Sequence, residues 1–99
     1  MVKANGFVVR NPYFTLLVSR VPDHDSSRIG IVVGRRVGKA VRRNRLKRIF
    51  RELVRESYSG MSLGYHCIVY PKAKVLEVKY QEVGKAWNGT LARVGLLLT

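Results

Sequence analysis

The chain has 99 residues, 46% of them hydrophobic, and a formal net charge of +13. This length predicts one domain, residues 1–99, with a modest core, which excludes a disordered basic tail. No apolar run approaches the roughly 18 residues that cross a membrane, and we expect no signal peptide at the short, polar start. Cys67 is the only cysteine, which excludes an internal disulfide and favours a reducing compartment. Its apolar surroundings predict a buried, inert thiol.

The first part of the chain predicts three strands, at residues 7–10, 13–21 and 28–33. Apolar residues alternate in the second strand, so Phe14, Leu16 and Val18 should face the core. The other face is then mixed, and either is solvated or binds something; it carries Tyr13, Thr15, Leu17 and Ser19. After a turn-rich loop at residues 22–27, the spacing suggests that the second and third strands form an antiparallel meander.

Most of the positive charge follows the third strand. Ten of the 21 residues from Arg35 to Arg55 are Lys or Arg, against one acid, Glu52. A helix is predicted by apolar residues at i, i+3, i+4, i+7 and i+8, namely Leu46, Ile49, Phe50, Leu53 and Val54. The opposite side of that helix carries Asn44, Arg48, Arg51 and Arg55, flanked by Arg45 and Lys47. Val37 and Val41 do not continue the apolar stripe, so the helix should bend or start late.

Such a density of like charge repels itself and requires an anionic partner. Solvated helices mix charges of both signs for i, i+4 pairing, whereas this helix carries almost only cations, which favours nucleic-acid binding. Arginine matches pairs of phosphate oxygens, and Asn44 can donate and accept toward sugar or base edges. The alternatives are a membrane-surface or calmodulin-target helix and a module that binds an acidic protein. The membrane alternative is disfavoured because the apolar stripe is needed to cover a sheet.

The rest of the chain predicts a loop at residues 60–64, a fourth strand at 65–70 and a last helix from about residue 77 to near 95. The shared face of this helix is Tyr80, Val83, Trp87, Leu91, Val94 and Leu98. Gly84 and Gly89 each destabilise it by up to about 1 kcal/mol relative to Ala. Four strands and two helices predict an α+β fold.

No catalytic constellation is found among the acids, histidines and cysteine. Asp23 and Asp25 flank His24, but three adjacent residues rarely converge on one metal ion, so we expect a polar turn there. His66 and Cys67 are neighbours in a strand and should point to opposite faces, which excludes a Cys-His pair.

The segment 34–40 is similar to a phosphate-binding loop but is one residue short. Ala40 also stands where Ser or Thr would hold magnesium, so we reject a nucleotide site. The segment is still predicted as a strand-to-helix turn whose backbone amides and positive helix end could meet a phosphate.

The sequence of residues 43–52, which begins Arg43-Asn44-Arg45, resembles the signature of the bacterial ribonuclease P protein subunit. Residues 28–33, 38–41, 14–18 and 65–72 are similar to the same family, so the resemblance covers nearly the whole chain. It implies an α/β sandwich with a four-stranded sheet, a basic crossover helix and a C-terminal helix, as in the second domain of a ribosomal small-subunit protein. The family normally carries a further helix at its N-terminus, and no counterpart is expected ahead of Gly6.

The resemblance implies an accessory of a catalytic RNA. That RNA acts as an endoribonuclease that removes the 5′ leader of precursor tRNA, with Mg²⁺ held by the RNA and not by protein ligands. The implied partners are the catalytic RNA subunit and precursor tRNA, in the cytoplasm, with no membrane and no protein oligomer required. The runner-up is a ribosomal or other RNA-binding protein with no role in processing.

Carried onto this chain, the resemblance assigns two groups of site residues. Contacts to the RNA subunit are expected from Arg43, Asn44, Arg45, Lys47, Arg48 and Arg51. Positions near RNA or the leader are expected for Arg35, Arg36, Lys39, Tyr13, Thr15 and Leu17. Tyr13 could stack on an unpaired base. Leu17 stands where the family usually has an aromatic residue, so weaker stacking is expected there.

Overall fold

The computed structural model describes residues 6–20, 28–58 and 65–94, with the backbone alone for Arg20. Its strands are β1 (Gly6–Arg10), β2 (Phe14–Arg20), β3 (Arg28–Ile31) and β4 (Tyr65–Pro71), and its helices are α1 (Ala40–Tyr58) and α2 (Tyr80–Arg93). Short 3₁₀ helices at Arg35–Val37 and Ala73–Glu77 precede α1 and α2. The predicted α+β class is confirmed. The expected Asp-His-Asp turn, the loops at 22–27 and 60–64 and the residues ahead of Gly6 lie outside the described residues.

The sheet has the strand order β1-β2-β4-β3. β2 runs antiparallel to both β1 and β4, whereas β3 runs parallel to β4. The predicted meander of the second and third strands is therefore wrong, because β4 lies between them: Val69 is opposite Leu16 on one side and Ile31 on the other. The physical reason is α1, a crossover long enough to let the chain re-enter the sheet parallel to β3.

Both helices pack on one face of this sheet. The predicted inward set of β2, namely Phe14, Leu16 and Val18, is fully buried. One core cluster joins these residues to Leu46, Phe50 and Leu53 of α1 and to Val83, Trp87 and Leu91 of α2. At its centre Phe14, Phe50 and Trp87 meet edge to face, with ring centroids 5.5 to 5.9 Å apart, each pair contributing about 0.5 to 1.5 kcal/mol beyond area burial. The core thus leaves the outer face of α1 and the far face of the sheet uncovered by the described helices.

The remaining core predictions are largely confirmed. Cys67 is buried on β4 as expected. Val94 packs against the core, whereas Tyr80 is 39% exposed and its hydroxyl donates a hydrogen bond to Glu56 at 3.0 Å. Leu98 lies outside the described residues. α2 is therefore buried along the middle of its predicted face and open at its start.

Candidate nucleic-acid interface

A tight turn separates β3 from α1. Gly38 has φ 128° and ψ −153°, a combination that is open almost only to glycine. Beside it, the Nε of Arg42 donates a hydrogen bond to the carbonyl of Val37 at 3.0 Å. The backbone break at Gly38 confirms the late start predicted for the helix, and it leaves Arg35, Arg36 and Lys39 exposed ahead of α1.

Two backbone amides of this turn are unavailable to a phosphate. The amide of Val37 donates to the carbonyl of Gly34 at 3.3 Å, and the amide of Gly38 donates to the carbonyl of Arg35 at 3.1 Å. These two amides are therefore occupied within the turn. The first amides of α1 keep the open donors of any helix N-terminus, so a phosphate could meet the helix end but not these two amides.

The outer face of α1 is the predicted cationic surface. Leu46, Phe50 and Leu53 are buried, and Ile49 and Val54 pack against the core. Because α1 keeps this register, the opposite side is directed outward: Asn44, Arg45, Arg48, Arg51 and Arg55 are exposed, and Arg43 and Lys47 are partly buried. The predicted orientation of the helix is confirmed.

Arg55 marks the C-terminal limit of the free positive charge. Its Nη2 donates to both carboxylate oxygens of Glu52, at 2.5 and 2.6 Å. This hydrogen-bonded carboxylate raises the pKa of the Arg55 guanidinium.

The other cations of residues 35–55 form no salt bridge within residues 6–20, 28–58 and 65–94. They also form no side-chain hydrogen bond there, apart from the bond of Arg42 to Val37. Eight cations are thus unpaired among the described residues: Arg35, Arg36, Lys39, Arg43, Arg45, Lys47, Arg48 and Arg51.

An apolar residue lies within this cationic surface. Val41 is 79% exposed and lines an open depression on α1 together with Asn44, Arg45, Arg48 and Ile49. Sequence reasoning did not assign Val41 to the site. The signal that could have found it is its failure to continue the apolar stripe, which places a hydrophobic side chain among arginines.

The far face of the sheet carries the residues expected near the leader. Thr15 and Leu17 are partly buried there, between Arg10 and Val8 of β1 and their partners on β4. Directly opposite Thr15 on β4 lies Tyr70, which is 37% exposed. Tyr70 is an aromatic side chain on this face that the sequence analysis did not assign to the site.

Tyr13 does not share this face, so its predicted placement is wrong. β2 begins only at Phe14, and the residues before it form a turn in which the Oδ1 of Asn11 accepts from the amides of Tyr13 and Phe14. Strand alternation therefore does not extend to Tyr13. Its ring packs against the core, and its hydroxyl donates to the Oε2 of Glu82 on α2 at 3.2 Å.

Two other features, a metal-binding cluster and a membrane-spanning helix, are not found among the described residues. Among them, no three His, Cys, Asp or Glu side chains are grouped closely enough to hold a metal ion. In the same part of the chain, neither helix is long and apolar enough to cross a membrane.

The architecture defines the class: a small α+β domain whose crossover helix presents a row of cations that no described residue pairs with. A family model described as Ribonuclease P matches residues 1–95. The chain belongs to this family.

Individual relatives agree with this result. The chain is 43% identical over 72 residues to the ribonuclease P protein component of Thermotoga petrophila, covering 73% of this chain and 61% of the relative. It is 33% identical over 93 residues to the ribonuclease P protein component of a Nitratiruptor species, covering 94% of this chain and 82% of that relative. The solved RNase P protein of Thermotoga maritima superposes with a TM-score of 0.78 at 37% identity, covering 89% of this chain and 83% of that one. The chain spans less than two thirds of the length of the Thermotoga relatives, 61% to 65%.

Proposed function

We propose that the chain acts as the protein subunit of ribonuclease P. In this role the outer face of α1 binds the catalytic RNA, and the complex removes the 5′ leader of precursor tRNA. The observation that carries the proposal is the row of cations on and before α1 that have no partner among the described residues. Each cation that neutralises a phosphate releases counterions condensed on the RNA, which is the main source of affinity in such interfaces.

The spacing of the cations suits a polyphosphate backbone. Arg45, Arg48 and Arg51 follow one another at three-residue intervals, which is about 4.5 Å of rise per step. Their guanidinium groups can engage phosphate oxygens in pairs. Asn44 lies beside them and can hydrogen-bond to a ribose hydroxyl or a base edge. The surface thus supports electrostatic binding of folded RNA, with a polar contact beside the arginines.

The far face of the sheet is proposed as the surface for the leader. Thr15 supplies a hydroxyl and Leu17 an apolar side chain, and Tyr70 supplies the ring on which an unpaired base can stack. Arg10, which pairs with Thr15 on β1, adds a positive charge at the edge. Loss of leader affinity in Tyr70→Leu, with RNA-subunit binding retained, would support this assignment.

The protein supplies binding groups and no catalytic carboxylate in this proposal. Of the described acids, Glu52, Glu56 and Glu82 accept hydrogen bonds from Arg55, Tyr80 and Tyr13. Following the family resemblance, we assign the chemistry to the RNA subunit and to Mg²⁺ held by it. We place the complex in the cytoplasm, with no protein oligomer required. By neutralising phosphates, the protein lowers repulsion between the catalytic RNA and its substrate.

The test is reconstitution with the ribonuclease P RNA and a precursor tRNA of the same organism at low Mg²⁺. We expect the protein to restore 5′ cleavage and, for about six phosphate contacts, log K to fall with log salt at a slope of about −4 to −5. Arg45→Gln/Arg48→Gln should weaken RNA binding by about 1 to 3 kcal/mol per contact. The matched control is Lys74→Gln/Lys79→Gln, which removes the same charge from exposed positions outside α1.

Each outcome separates the alternatives. Equal losses in the two double variants would assign the effect to net charge and contradict a specific surface on α1. Tight RNA binding without restored cleavage would identify an RNA-binding protein with no role in processing. A preference for poly-glutamate over structured RNA would identify a module for acidic proteins.

A further inference from the structure

A second cationic cleft lies away from α1, between the β1–β2 turn and α2. It encloses about 300 Å³ and is lined by Asn11, Pro12, Tyr13, Lys85, Ala86, Gly89, Thr90 and Arg93. The surface on α1 does not include any of these residues, so the cleft is unexplained by the binding site described above.

The turn forms one wall of the cleft and is held in place by hydrogen bonds. The Oδ1 of Asn11 accepts from the amides of Tyr13 and Phe14 at 2.8 and 3.0 Å. The Nδ2 of the same side chain has no hydrogen-bond partner among the described residues, so it keeps two N–H donors to offer. Lys72, the residue after β4, supports the turn: its Nζ donates to the carbonyl of Asn11 at 2.8 Å, and its backbone amide donates to the carbonyl of Tyr13 at 2.9 Å.

The other wall is a stripe of α2 with a cation at each end. Lys85, Gly89 and Arg93 are exposed and lie at i, i+4 and i+8, so the two cations are about 12 Å apart along the helix. Neither forms a salt bridge within the described residues. The acid of this stripe, Glu82, lies nearly one turn before Lys85 and accepts the hydrogen bond of Tyr13.

The backbone of α2 is bare between the two cations. A Cβ placed on Gly89 would meet nothing within 4 Å, so packing inside the protein does not require glycine there. Glycine nevertheless destabilises a helix interior. A residue that weakens the helix and leaves its backbone accessible at the base of a cleft is consistent with a ligand that approaches closely.

We propose that this cleft is a second binding site for RNA, one that takes a stretch of sugar–phosphate backbone. Lys85 and Arg93 each reach a phosphate, and the backbone crosses α2 at Gly89. The amide of Asn11 donates to a ribose hydroxyl or to a phosphate oxygen. This inference rests on the proposed function, and it makes the protein a bridge between an RNA segment on α1 and another on α2.

The experiment compares two double variants that lose the same charge. Lys85→Gln/Arg93→Gln removes the cations of the cleft, and Lys74→Gln/Lys79→Gln removes exposed cations that do not line it. Binding to the ribonuclease P RNA of the same organism is measured over a salt series, with precursor tRNA present and absent. We expect the cleft variant to make the negative slope of log K against log salt shallower by about 1.4 to 1.8. The control should change this slope by less than half of that.

A steric variant tests the site without changing charge. Gly89→Leu places a helix-favouring side chain over the bare backbone, so it should keep the fold and still weaken RNA binding at least threefold. Chemical shifts of the Gly89 and Ala86 amides should move with RNA and stay unchanged with inorganic phosphate at equal ionic strength. Saturable binding of inorganic phosphate with no effect of either variant on RNA would identify a free-anion site and overturn the proposal.

Failure of this proposal differs from failure of the proposed function. If variants of α1 lose RNA binding and the cleft variants match the control, the second site is refuted and the first stands. If the α1 variants also match the control, both are refuted.

Discussion

The indole Nε1 of Trp87 donates a hydrogen bond to the Oγ of Ser57 at 3.1 Å, between the two helices. Ser57 in turn donates to the carbonyl of Leu53 at 2.9 Å. Trp87 is fully buried and Ser57 is 9% exposed, so water has little access to the indole N–H. The serine on the inner side of α1 therefore satisfies the one polar atom of the largest core side chain.

Replacing Ser57 by Ala should leave that N–H without an acceptor. An unsatisfied buried donor costs about 1 to 3 kcal/mol, and we expect the free energy of unfolding, measured by urea denaturation, to fall by this amount. The control is the same substitution in a Trp87→Phe background, where no donor remains. A Ser57→Ala effect of equal size in both backgrounds would show that the hydrogen bond contributes nothing.

Much of the fold follows from local patterns, and the exceptions have physical reasons. The alternation of Phe14, Leu16 and Val18 and the stripe of α1 were sufficient to predict the core, because burial selects residues by their period. Strand order is a different matter: it depends on which strands meet through a crossover, and the spacing of β2 and β3 along the chain carries no such information. This is why β4 was not predicted between them.

In the candidate site, too, local patterns were sufficient for some residues, and contacts between segments decided the others. The outward direction of Arg45, Arg48 and Arg51 was predictable because the apolar stripe fixes the rotation of α1. The direction of Tyr13 was not, since a side-chain hydrogen bond from Asn11 replaces strand geometry just before β2. The cleft at Gly89 needs two distant segments to meet, which no local pattern reports.

The turn before α1 should tolerate only glycine at position 38. In Gly38→Ala the new Cβ would lie 3.0 Å from the Cδ of Arg42, and the backbone would keep a conformation that costs other residues about 1 to 3 kcal/mol. We expect a loss of stability of that order in urea denaturation. RNA affinity should also fall, because displacing Arg42 from Val37 moves the cations that precede the helix.

Gly34→Ala is the matched control for this turn. Gly34 has φ −78° and ψ 165°, a conformation that any residue adopts, and a Cβ there would meet nothing within 4 Å. Its replacement should be neutral or stabilising by up to about 1 kcal/mol. Equal destabilisation by the two substitutions would contradict a special role for Gly38.

Stability should decrease in alkali because of Cys67. Burial raises the pKa of its thiol to about 11, from the ordinary value of 9.0 that we take for the unfolded chain. Between these values the unfolded chain has lost the proton and the folded chain keeps it, so the unfolded state binds fewer protons. The free energy of unfolding then falls as pH rises, by at most about 1.4 kcal/mol per pH unit.

The measurement is urea denaturation from pH 8 to pH 10.5, with Cys67→Ala as the control. The pKa values of Tyr13 and Tyr80 are also raised, the first mainly by its hydrogen bond to Glu82 and the second mainly by burial. Both tyrosines act equally in the two proteins, so only the difference between the curves reports on the thiol. Parallel curves of the free energy of unfolding against pH would show that ionisation of Cys67 does not lower the stability of the fold.

Val41 should contribute to RNA affinity without contributing to its salt dependence. Complete burial of a valine side chain is worth about 1.5 to 3 kcal/mol, and counterion release depends only on phosphate contacts. Val41→Ser should therefore weaken RNA binding by up to that amount, equally at every salt concentration. Arg45→Gln should instead make the slope of log K against log salt shallower by about 0.7 to 0.9.

Because Val41 is 79% exposed, its replacement should change the free energy of unfolding by no more than about 0.5 kcal/mol. Unchanged affinity in Val41→Ser would mean that no base or sugar covers this part of α1.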